Sequence, residues 1–461
     1  MEVTREDFEK NDGQMLKDII QAIKEAQFVA IDLEFSGVPR QANKPVGRKP
    51  NVAERYQLLK EGAERYQVLQ LGICIVHFDA PTRTYVCRPY TLPVCPTTDS
   101  KWNMEREYTF QASAIKFLSD NNFNFNLLFR HGVPYLSHDE EKIVRAREKI
   151  ALEGLMEDIH VEESQKAFLK EVVNELQAWI DDPNPEYDFV NITGPGNEIN
   201  GYQKRLVHQV VRSKFPNLVS LSRNKFIQVI KKDENQEKLH LKEKKERSDE
   251  KIKRGIGLRY VIDAIRESKV PVVGHNLFGD LVHLYRTFVG KLPGSVEEFA
   301  AAIHGDFPVI CDTKYIATCE GGITGMASSL QTLNDTLSAL TYPSISLHIE
   351  HQLGSSTHHN AGFDSFNTAK VLLKLMTLYQ CHLNQAGSGA IAEQVARTSM
   401  VEFLNRMGRI NPEQFLHQDI LLPPFDSHLW GGLKNHLRVN GTVENVVILE
   451  DEGGVKLESI P

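Results

Sequence analysis

Apolar residues recur along this chain with two spacings, and the spacing predicts where helices and strands lie. Residues 14–26, QMLKDIIQAIKEA, repeat apolar positions as a helix does, and the following FVAIDLEF alternates as a strand does. RYQVLQLGICIVHF and TYVCRPYTL are two further strand-like runs. Helix and strand alternate again later in the chain, in the order LRYVIDAIRES, VPVVGHN, FGDLVHLYRTFV, FPVICD and DSFNTAKVLLKLMTLYQ. Strands that alternate with helices predict an α/β fold.

The α/β pattern is interrupted near the middle of the chain. Two amphipathic helical segments, SQKAFLKEVVNELQAWI and GYQKRLVHQVVRSKF, flank a stretch rich in Pro, Gly and Asn, and a strand-like KFIQVIKK follows them. The mixed-charge run at 236–254 is either a solvated helix or a disordered linker. We therefore expect one α/β domain made of residues 1–163 and 255–415. A small inserted domain, 164–235, splits it, and a C-terminal extension, 416–461, follows it.

Two acidic residues lie on one face of the first predicted strand. Residues i and i+2 of a strand point to the same side, so Asp32 and Glu34 project together while Ile31 and Leu33 face away. Neighbouring carboxylates repel each other unless a cation lies between them, and their hard oxygen atoms suit Mg²⁺ or Mn²⁺. Taken alone, the pair is better explained as a polar strand face that meets solvent.

Three more residues with suitable chemistry follow in order along the chain. Asp280 and Asp364 each lie in the first turn of a predicted helix, where a carboxylate also stabilises the helix dipole without any further role. His359 precedes Asp364 by five residues in a loop rich in Gly, Ser and His, and histidine can take up a proton near neutral pH. His348 and His351 are assigned to ordinary surface, because no other spaced ligands accompany them.

Together these residues predict a two-metal site that cleaves phosphodiester bonds. Two cations about 4 Å apart, held by the four carboxylates, would activate a water and stabilise the leaving 3′ oxygen. His359 would take the proton from that water. Lys314, two residues after Asp312 at the end of a strand, either neutralises the scissile phosphate or is an ordinary surface lysine.

Composition and charge describe the setting of this chemistry. The 461 residues carry a net charge of −8 and are 41% apolar, as in an ordinary globular protein. Because there is no overall basic footprint, attraction to a nucleic acid must come from local Lys and Arg and from bound cations. The six cysteines are scattered without a C-x-x-C pair, which predicts a reducing compartment and no structural zinc. The polar N-terminus and the short apolar runs indicate neither secretion nor a membrane anchor.

Six motifs carry a resemblance to a known family. They are I-D-x-E-F-S-G (31–37), Q-x-G (70–72), FLSDNNFNFNLLFRHGVPYL (117–136), VVGHNLFGD (272–280), FPVICDTK (307–314) and H-x-A-G-F-D (359–364). In this order they resemble the DEDD superfamily of 3′-exonucleases, in its subclass with a catalytic histidine, and within it the poly(A)-specific ribonuclease family. The resemblance covers most of residues 1–415, and the run that ends in GVPYL is specific to this branch.

The resemblance implies a fold and an activity. The fold would be a ribonuclease-H-like α/β nuclease domain, with a mixed central sheet flanked by helices, interrupted by a small α/β domain like the R-three-H module that binds single strands. The activity would be Mg²⁺-dependent removal of nucleotides from RNA 3′ ends, with two ions (Mn²⁺ as an alternative) and release of 5′-nucleotides. Family members form homodimers through the nuclease domain, and we expect a protein of the nucleus or cytoplasm, without a membrane.

The family also implies roles for individual residues. Its metal ligands would be Asp32, Glu34, Asp280 and Asp364, and its general base would be His359. Phe35, Phe125 and Lys314 match positions that hold the RNA 3′ end, although Phe125 is equally a core aromatic; stacking is worth about 1–3 kcal/mol per base. Lys204 stands where the R-three-H signature has arginine, with His208 four residues later. Both are expected RNA contacts, but lysine lacks the planar fork of arginine.

The end of the sequence leaves the choice of RNA open. Past residue 407 the chain holds LLPPFDSHLWGGLKNHLRVNGTVENVVILEDEGG, which offers room neither for the cap-binding domain of full-length family members nor for a hydrophobic tail. We expect a shorter family member or a truncated chain. Three hypotheses follow: an exoribonuclease on poly(A) tails, the same chemistry on 3′ overhangs of small noncoding RNAs, or a catalytically silent RNA-binding scaffold. Silence is disfavoured, because no acidic ligand is missing.

Overall fold

The computed structural model describes residues 1–39, 48–153, 158–231, 234–319, 328–338, 340–351, 360–386, 420–450 and 454–459. The chain forms two compact units, one of residues 1–142 with 254–461 and one of residues 143–253. The four acidic residues of the expected site all belong to the first unit. In the ranges given above, no helix combines the length and the apolar character that crossing a membrane requires.

Helices and strands alternate along the chain. The described helices are α1 Arg5–Glu9, α2 Gln14–Lys24, α3 Val52–Arg65, α4 Ala112–Asp120, α5 Phe125–His131, α6 His138–Leu152, α7 Glu163–Asp181, α8 Gly201–Lys214, α9 Glu234–Ile256, α10 Arg259–Ser268, α11 Phe278–Leu284, α12 Val296–Asp306, α13 Thr313–Thr318, α14 Leu330–Leu337 and α15 Ala361–Ala386. The described strands are β1 Phe28–Phe35, β2 Val68–Asp79, β3 Thr84–Pro96, β4 Val133–Tyr135, β5 Phe189–Ile192, β6 Leu218–Ser222, β7 Ile227–Lys231, β8 Val272–Gly274, β9 Ile310–Asp312, β10 Ser344–Leu347, β11 His436–Arg438, β12 Val446–Leu449 and β13 Val455–Glu458.

A mixed sheet forms the centre of the first unit. Its strand order is β10-β3-β2-β1-β8-β9, and β4 pairs with β3 outside this path. Strands β1, β2 and β3 pair antiparallel, whereas β8 and β9 continue the sheet from β1 in parallel. Three antiparallel strands are thus followed by two parallel ones, which makes the sheet mixed. The predicted fold class, an α/β fold with a mixed central sheet flanked by helices, is therefore confirmed.

The two faces of the sheet bury different sets of side chains. Along β1, Val29, Ile31 and Leu33 belong to a core that includes residues of α2, α10 and α12. Phe28 and Ala30 belong to a second core, on the opposite face, that is covered by α15. Because side chains alternate along a strand, the acidic residues that follow Ala30 at every second position share the α15 face.

Helix α15 owes its place to a continuous apolar surface. Val371, Leu372 and Leu375 are buried against the sheet, as the sequence pattern predicts. Each fully buried side chain of this size contributes roughly 1.5–3 kcal/mol relative to an exposed one. That burial holds the long helix on the sheet, and the position of its first turn then follows.

The C-terminal residues fold against the same unit. Strands β11, β12 and β13 form an antiparallel sheet. The Asn435 N–H donates to the carbonyl oxygen of Ile310 at 2.7 Å, and the Ile310 N–H donates to Asn435 Oδ1 at 2.9 Å. Val439 and Val447 are buried in the core that lies behind β1. The predicted C-terminal extension, residues 416–461, thus contributes a sheet and core residues to the first unit.

The second unit has its own core. Strands β5, β7 and β6 form an antiparallel sheet, and α7 and α8 pack near it around residues such as Leu176, Leu206 and Val229. The charged run beyond this sheet is helical, as part of α9. The domain boundaries drawn from the sequence, and the likeness of this unit to an R-three-H module, stay predictions.

Candidate functional site

Three carboxylates meet where β1 ends and α15 begins. Asp32, Glu34 and Asp364 each offer an oxygen atom, and these atoms all lie within 4.8 Å of one another. Asp32 and Glu34 come from the same face of β1, and Asp364 comes from the first turn of α15. All three side chains keep part of their surface accessible. The structure thus brings three of the four predicted ligands together, and their role as metal ligands stays a prediction.

The N-terminus of α15 is fixed to the sheet directly opposite β1. Gln70 and Gly72 of β2 pair with Glu34 and Asp32 respectively. Gln70 Oε1 accepts a hydrogen bond from the Ala361 N–H at 2.9 Å. A Cβ atom on Gly72 would lie 1.9 Å from the Ala361 carbonyl oxygen, so only glycine allows this close approach. The Q-x-G motif therefore positions the helix that carries the third carboxylate.

Asn360 caps the same helix end from the other side. Its Oδ1 accepts a hydrogen bond from the Phe363 N–H at 3.2 Å and one from Thr91 Oγ1 of β3 at 2.8 Å. The first bond satisfies a backbone donor that the helix itself leaves unpaired, and the second ties the cap to the sheet. Two neighbouring strands thus hold the turn that presents Asp364.

Asp280 completes the acidic set from a different element. It lies in the first turn of α11, followed by the buried residues Leu281 and Leu284. Its carboxylate does not belong to the group of oxygens within 4.8 Å of one another, as far as the described residues show. Its charge nevertheless acts on both carboxylates of β1. The structure therefore gathers the four predicted ligands as a close group of three with Asp280 beside it.

The cluster carries more negative charge than its surroundings stabilise. Burial, and then the charges of Asp280, Glu34 and Asp364, raise the pKa of Asp32 well above its usual range. Burial and the two helix carboxylates raise the pKa of Glu34 to about 8. Burial raises the pKa of Asp280 to about 7, with a contribution from Asp312. Such carboxylates keep their protons unless a cation is bound.

The residues present fit a divalent cation. Hard carboxylate oxygens are the ligands that Mg²⁺ and Mn²⁺ prefer. Among the described side chains, no Lys or Arg forms an ion pair with Asp32, Glu34 or Asp280. A cation at this position would therefore supply charge that the protein leaves uncompensated.

A fifth acidic residue, Asp312, is fully buried and holds backbone segments together. Its two oxygens accept hydrogen bonds from four backbone N–H groups, those of Asn276, Leu277, Lys314 and Arg438, at 2.8–3.2 Å. The first two belong to the turn that leads into α11 and Asp280. One buried carboxylate thus joins the ends of β8 and β9 to the C-terminal sheet.

The three residues predicted to hold the RNA 3′ end lie at different places in the first unit. The Phe35 ring lies 4.2 Å from the His283 ring, centroid to centroid, and lines a cavity beside Asp280. Lys314 is half-buried at the start of α13, where burial lowers its pKa. Phe125 begins α5 within an aromatic cluster, 4.9 Å from Phe123. Their contacts with RNA stay predictions.

In the second unit, both predicted RNA contacts already have polar partners. Lys204 Nζ donates to the carbonyl oxygens of Arg223 and Asn224, each at 2.7 Å. The two ring nitrogens of His208 lie 2.7 Å from the hydroxyl oxygens of Ser220 and Ser222. Burial and nearby positive charges lower the pKa of His208 to about 4, so the ring is neutral at physiological pH. RNA binding by this pair stays a prediction.

His359 lies outside the described residues, so its role as general base also stays a prediction. The sequence indicated no role for three residues that lie near Asp280, namely Asp312, Arg55 and Arg438. Asp312 stands inside one of the family motifs, but the motif does not show that its side chain binds four backbone groups. Arg55 and Arg438 lie outside every motif quoted above, and only the folded chain brings them to one cavity.

Comparison with known proteins adds to this geometry. Residues 3–372 match the sequence model of the CAF1 family ribonucleases. Poly(A)-specific ribonuclease PARN of Xenopus laevis is 28% identical over 341 residues, which cover 69% of this chain and 52% of that protein. The pre-piRNA 3′-exonuclease trimmer of Bombyx mori is 29% identical over 322 residues, 69% of this chain and 58% of that protein. The solved structure of S. pombe Pop2p in its Mg²⁺- and Mn²⁺-bound form is 13% identical, with 80% of this chain and 89% of that one covered and a TM-score of 0.39. The chain spans about half the length of the Xenopus relative.

Proposed function

The chain belongs to the CAF1 family of ribonucleases, and on that premise we propose that it is a Mg²⁺-dependent 3′-to-5′ exoribonuclease. It would shorten single-stranded RNA from the 3′ end and release 5′-mononucleotides. The family assignment confirms the resemblance that the sequence motifs predicted. The observation that carries the proposal is the group of three carboxylates, assembled from a strand and a helix whose residues lie far apart in sequence.

The carboxylates would hold the cations and orient the substrate. Asp32, Glu34 and Asp364 are the proposed ligands of the close group, and Asp280 adds a fourth carboxylate from α11. Bound divalent cations lower the pKa of the water they coordinate and offset charge on the leaving oxygen. The same four residues would keep their positions without the substrate, because Gln70, Gly72 and Asp312 fix the elements that carry them.

Other residues of the chain would handle the proton and the RNA. His359 is the proposed acceptor of the proton from the attacking water, since a histidine can act as a base near neutral pH. Phe35 offers a ring face to the last base, and stacking of this kind does not depend on the identity of the base. Lys314 would neutralise charge on the scissile phosphate.

The names of two relatives suggest two substrates. One is a poly(A)-specific ribonuclease and the other a pre-piRNA 3′-exonuclease. We propose RNA 3′ ends as the substrate class, with poly(A) tails and 3′ overhangs of small RNAs as the two candidates. Homodimerisation and a location in the nucleus or cytoplasm are further proposals. A silent RNA-binding scaffold is not favoured, because every acidic ligand of the proposed site is present.

A time course with two 5′-labelled RNAs tests this proposal. One RNA ends in an adenosine tail and the other in a tail of mixed sequence, and each is incubated with the protein in Mg²⁺ or in EDTA. We expect stepwise shortening in Mg²⁺ only, with 5′-mononucleotides as the product. Shortening of the adenosine tail alone would favour a deadenylase, and equal shortening would favour a trimmer. An RNA that stays intact in Mg²⁺ would contradict the proposal.

A further inference from the structure

A cavity opens beside Asp280, and the C-terminal sheet forms one of its walls. Its volume is about 340 Å³, which lies within the range of ligand pockets, about 300–1,000 Å³. Phe35, Leu59 and Phe278 give it apolar surface that suits a base and ribose. The polar part includes Asp280 and the guanidinium-bearing residue Arg438. The cavity thus joins an apolar region to a charged one next to the proposed metal ligands.

Arg438 is held in place by the residue that also positions α11. The Arg438 N–H donates to Asp312 Oδ2 at 3.0 Å, and the Leu277 N–H donates to the same oxygen at 3.2 Å. Leu277 immediately precedes α11, whose first turn carries Asp280. Arg438 and Asp280 therefore both depend on one buried carboxylate, although they lie 158 positions apart in sequence.

Among the described residues, the guanidinium group of Arg438 has no hydrogen-bond or ion-pair partner. The oxygens of Asp312 are taken up by backbone N–H groups, and no described carboxylate lies within ion-pair distance of the Arg438 side chain. Its Nη1 is shielded from solvent, and none of the residues that the structure describes forms a hydrogen bond with it. Leaving a buried donor unpaired costs about 1–3 kcal/mol, so a structural arginine would not be expected here. Arg438 is half-buried and lines the cavity, so an anionic ligand there would offer a partner to its guanidinium group.

We propose that Arg438 is a substrate-binding residue whose guanidinium group donates hydrogen bonds to the phosphate of the 3′-terminal nucleotide. On this account the C-terminal sheet completes the RNA site. The inference rests on the proposed function, since it places the reacting phosphate between Asp280 and Arg438. Phosphate is preferred to the base as the acceptor because a planar guanidinium can bind two phosphate oxygens at once, while the apolar wall is available to the base.

The electrostatics of the neighbourhood agree with this proposal. Burial is the main cause that lowers the pKa of Lys314, and the charge of Arg438 lowers it further, so the two cations lie near each other. Burial also lowers the pKa of Arg438. The charge of Asp312 opposes this lowering of the pKa in both groups, so two positive groups lie near this one carboxylate, and their excess positive charge favours an anion nearby.

Inhibition by AMP and by adenosine tests the assignment on the full chain. AMP carries the 5′-phosphate of the reaction product and adenosine lacks it. We expect Arg438→Gln to raise the inhibition constant of AMP, and the KM for a short RNA, by about 10- to 100-fold, and to leave inhibition by adenosine unchanged. Arg438→Lys keeps the charge without the planar guanidinium group and should weaken AMP binding about tenfold. Lys456→Gln removes a positive charge from β13 of the same sheet and should behave as the wild type.

Three results would overturn the assignment. The first is an inhibition constant of AMP that is unchanged in Arg438→Gln, and the second is an equal loss of affinity for AMP and adenosine, which would indicate a base contact. The third is a folded Arg438→Lys with wild-type affinity for AMP. Thermal melting of each variant identifies a folding defect, and Arg438→Lys serves as the test if Arg438→Gln does not fold. Calorimetric titration with AMP in Mg²⁺ measures the contribution of Arg438 to AMP binding even if the wild type does not shorten RNA. Failure of the proposed function and failure of this inference therefore stay distinct.

Discussion

Gln70 Oε1 accepts a hydrogen bond from the backbone N–H of Ala361 at 2.9 Å, and this bond joins residues 291 positions apart. Gln70 pairs with Glu34 in the sheet, and Ala361 begins the helix that carries Asp364. The bond therefore sets the distance between carboxylates of two different elements. Its loss should affect metal binding before it affects the rest of the fold.

Replacement of Gln70 by leucine tests this role. The Ala361 N–H would lose its acceptor in a buried place, which costs about 1–3 kcal/mol. We expect a lower free energy of unfolding in urea and weaker Mn²⁺ binding by calorimetry. Gln21→Leu, which changes an exposed glutamine of α2, is the matched control and should alter neither. Wild-type Mn²⁺ affinity in Gln70→Leu would show that the bond does not position the site.

Replacement of Gly72 by alanine should displace the helix more strongly. The added Cβ would lie 1.9 Å from the Ala361 carbonyl oxygen, so α15 must move away from β2. We expect a loss of about 1–3 kcal/mol in unfolding free energy and a rate of RNA shortening below detection. In the control Gly305→Ala, the new Cβ meets no atom within 4 Å, and helix α12 should gain up to about 1 kcal/mol. A fully active Gly72→Ala would refute the close-approach argument.

The carboxylate cluster should make stability depend on pH and on metal. The pKa of Glu34 is raised from 4.5 to about 8 in the folded protein, mainly by burial. Because the folded protein holds this proton more tightly than the unfolded chain, the stability it contributes is present at low pH and is lost as the pH rises toward 8. In EDTA, Glu34→Gln should have the same melting temperature as the wild type near pH 4. As the pH rises to 8, the variant should melt at an increasingly higher temperature than the wild type.

Addition of Mg²⁺ should reverse this difference. Mg²⁺ binds the ionised wild-type cluster and stabilises it by mass action, whereas Glu34→Gln lacks one of the ligands. Melting curves of both proteins across the same pH range, with and without Mg²⁺, give the comparison. Parallel curves at every pH would mean that Glu34 ionises normally and that no cation site depends on it.

Asp312 should act as a positioning residue. An asparagine there turns one acceptor oxygen into a donor that faces backbone N–H groups, at a cost of about 1–3 kcal/mol. We expect Asp312→Asn to lower stability and to weaken both Mn²⁺ and AMP binding, because it loosens α11 and β11 together. Asp335→Asn, on the exposed side of α14, is the control. A stable Asp312→Asn with normal binding of both ligands would argue against this role.

Local patterns account for much of what could be predicted. The alternation of β1 correctly places Asp32 and Glu34 opposite the core that contains Ile31 and Leu33, because a strand has a period of two residues. The apolar spacing of α15 likewise predicts which side of it is buried. Such patterns depend only on neighbours in sequence, so they identify faces and elements.

Contacts between distant segments could not be predicted in the same way. No local pattern shows that Gln70 meets Ala361, or that the three-residue strand β11 brings Arg438 to the cavity beside Asp280. Lys204 is a second example. A motif predicts it as an RNA contact, but no local pattern shows the two carbonyl groups that accept hydrogen bonds from its ammonium group. Polar partners of this kind are visible only after the chain has folded.

The most direct test of a cation-dependent site compares the wild type with Asp364→Asn in RNA shortening over a range of Mg²⁺ concentrations. We expect the wild-type rate to rise to saturation with Mg²⁺ and to vanish in EDTA. We expect Asp364→Asn to be about a thousandfold slower at every concentration, which is equivalent to roughly 4 kcal/mol of transition-state stabilisation. Shortening by the wild type in EDTA, or an Asp364→Asn variant as fast as the wild type, would contradict a cation-dependent site built from these carboxylates.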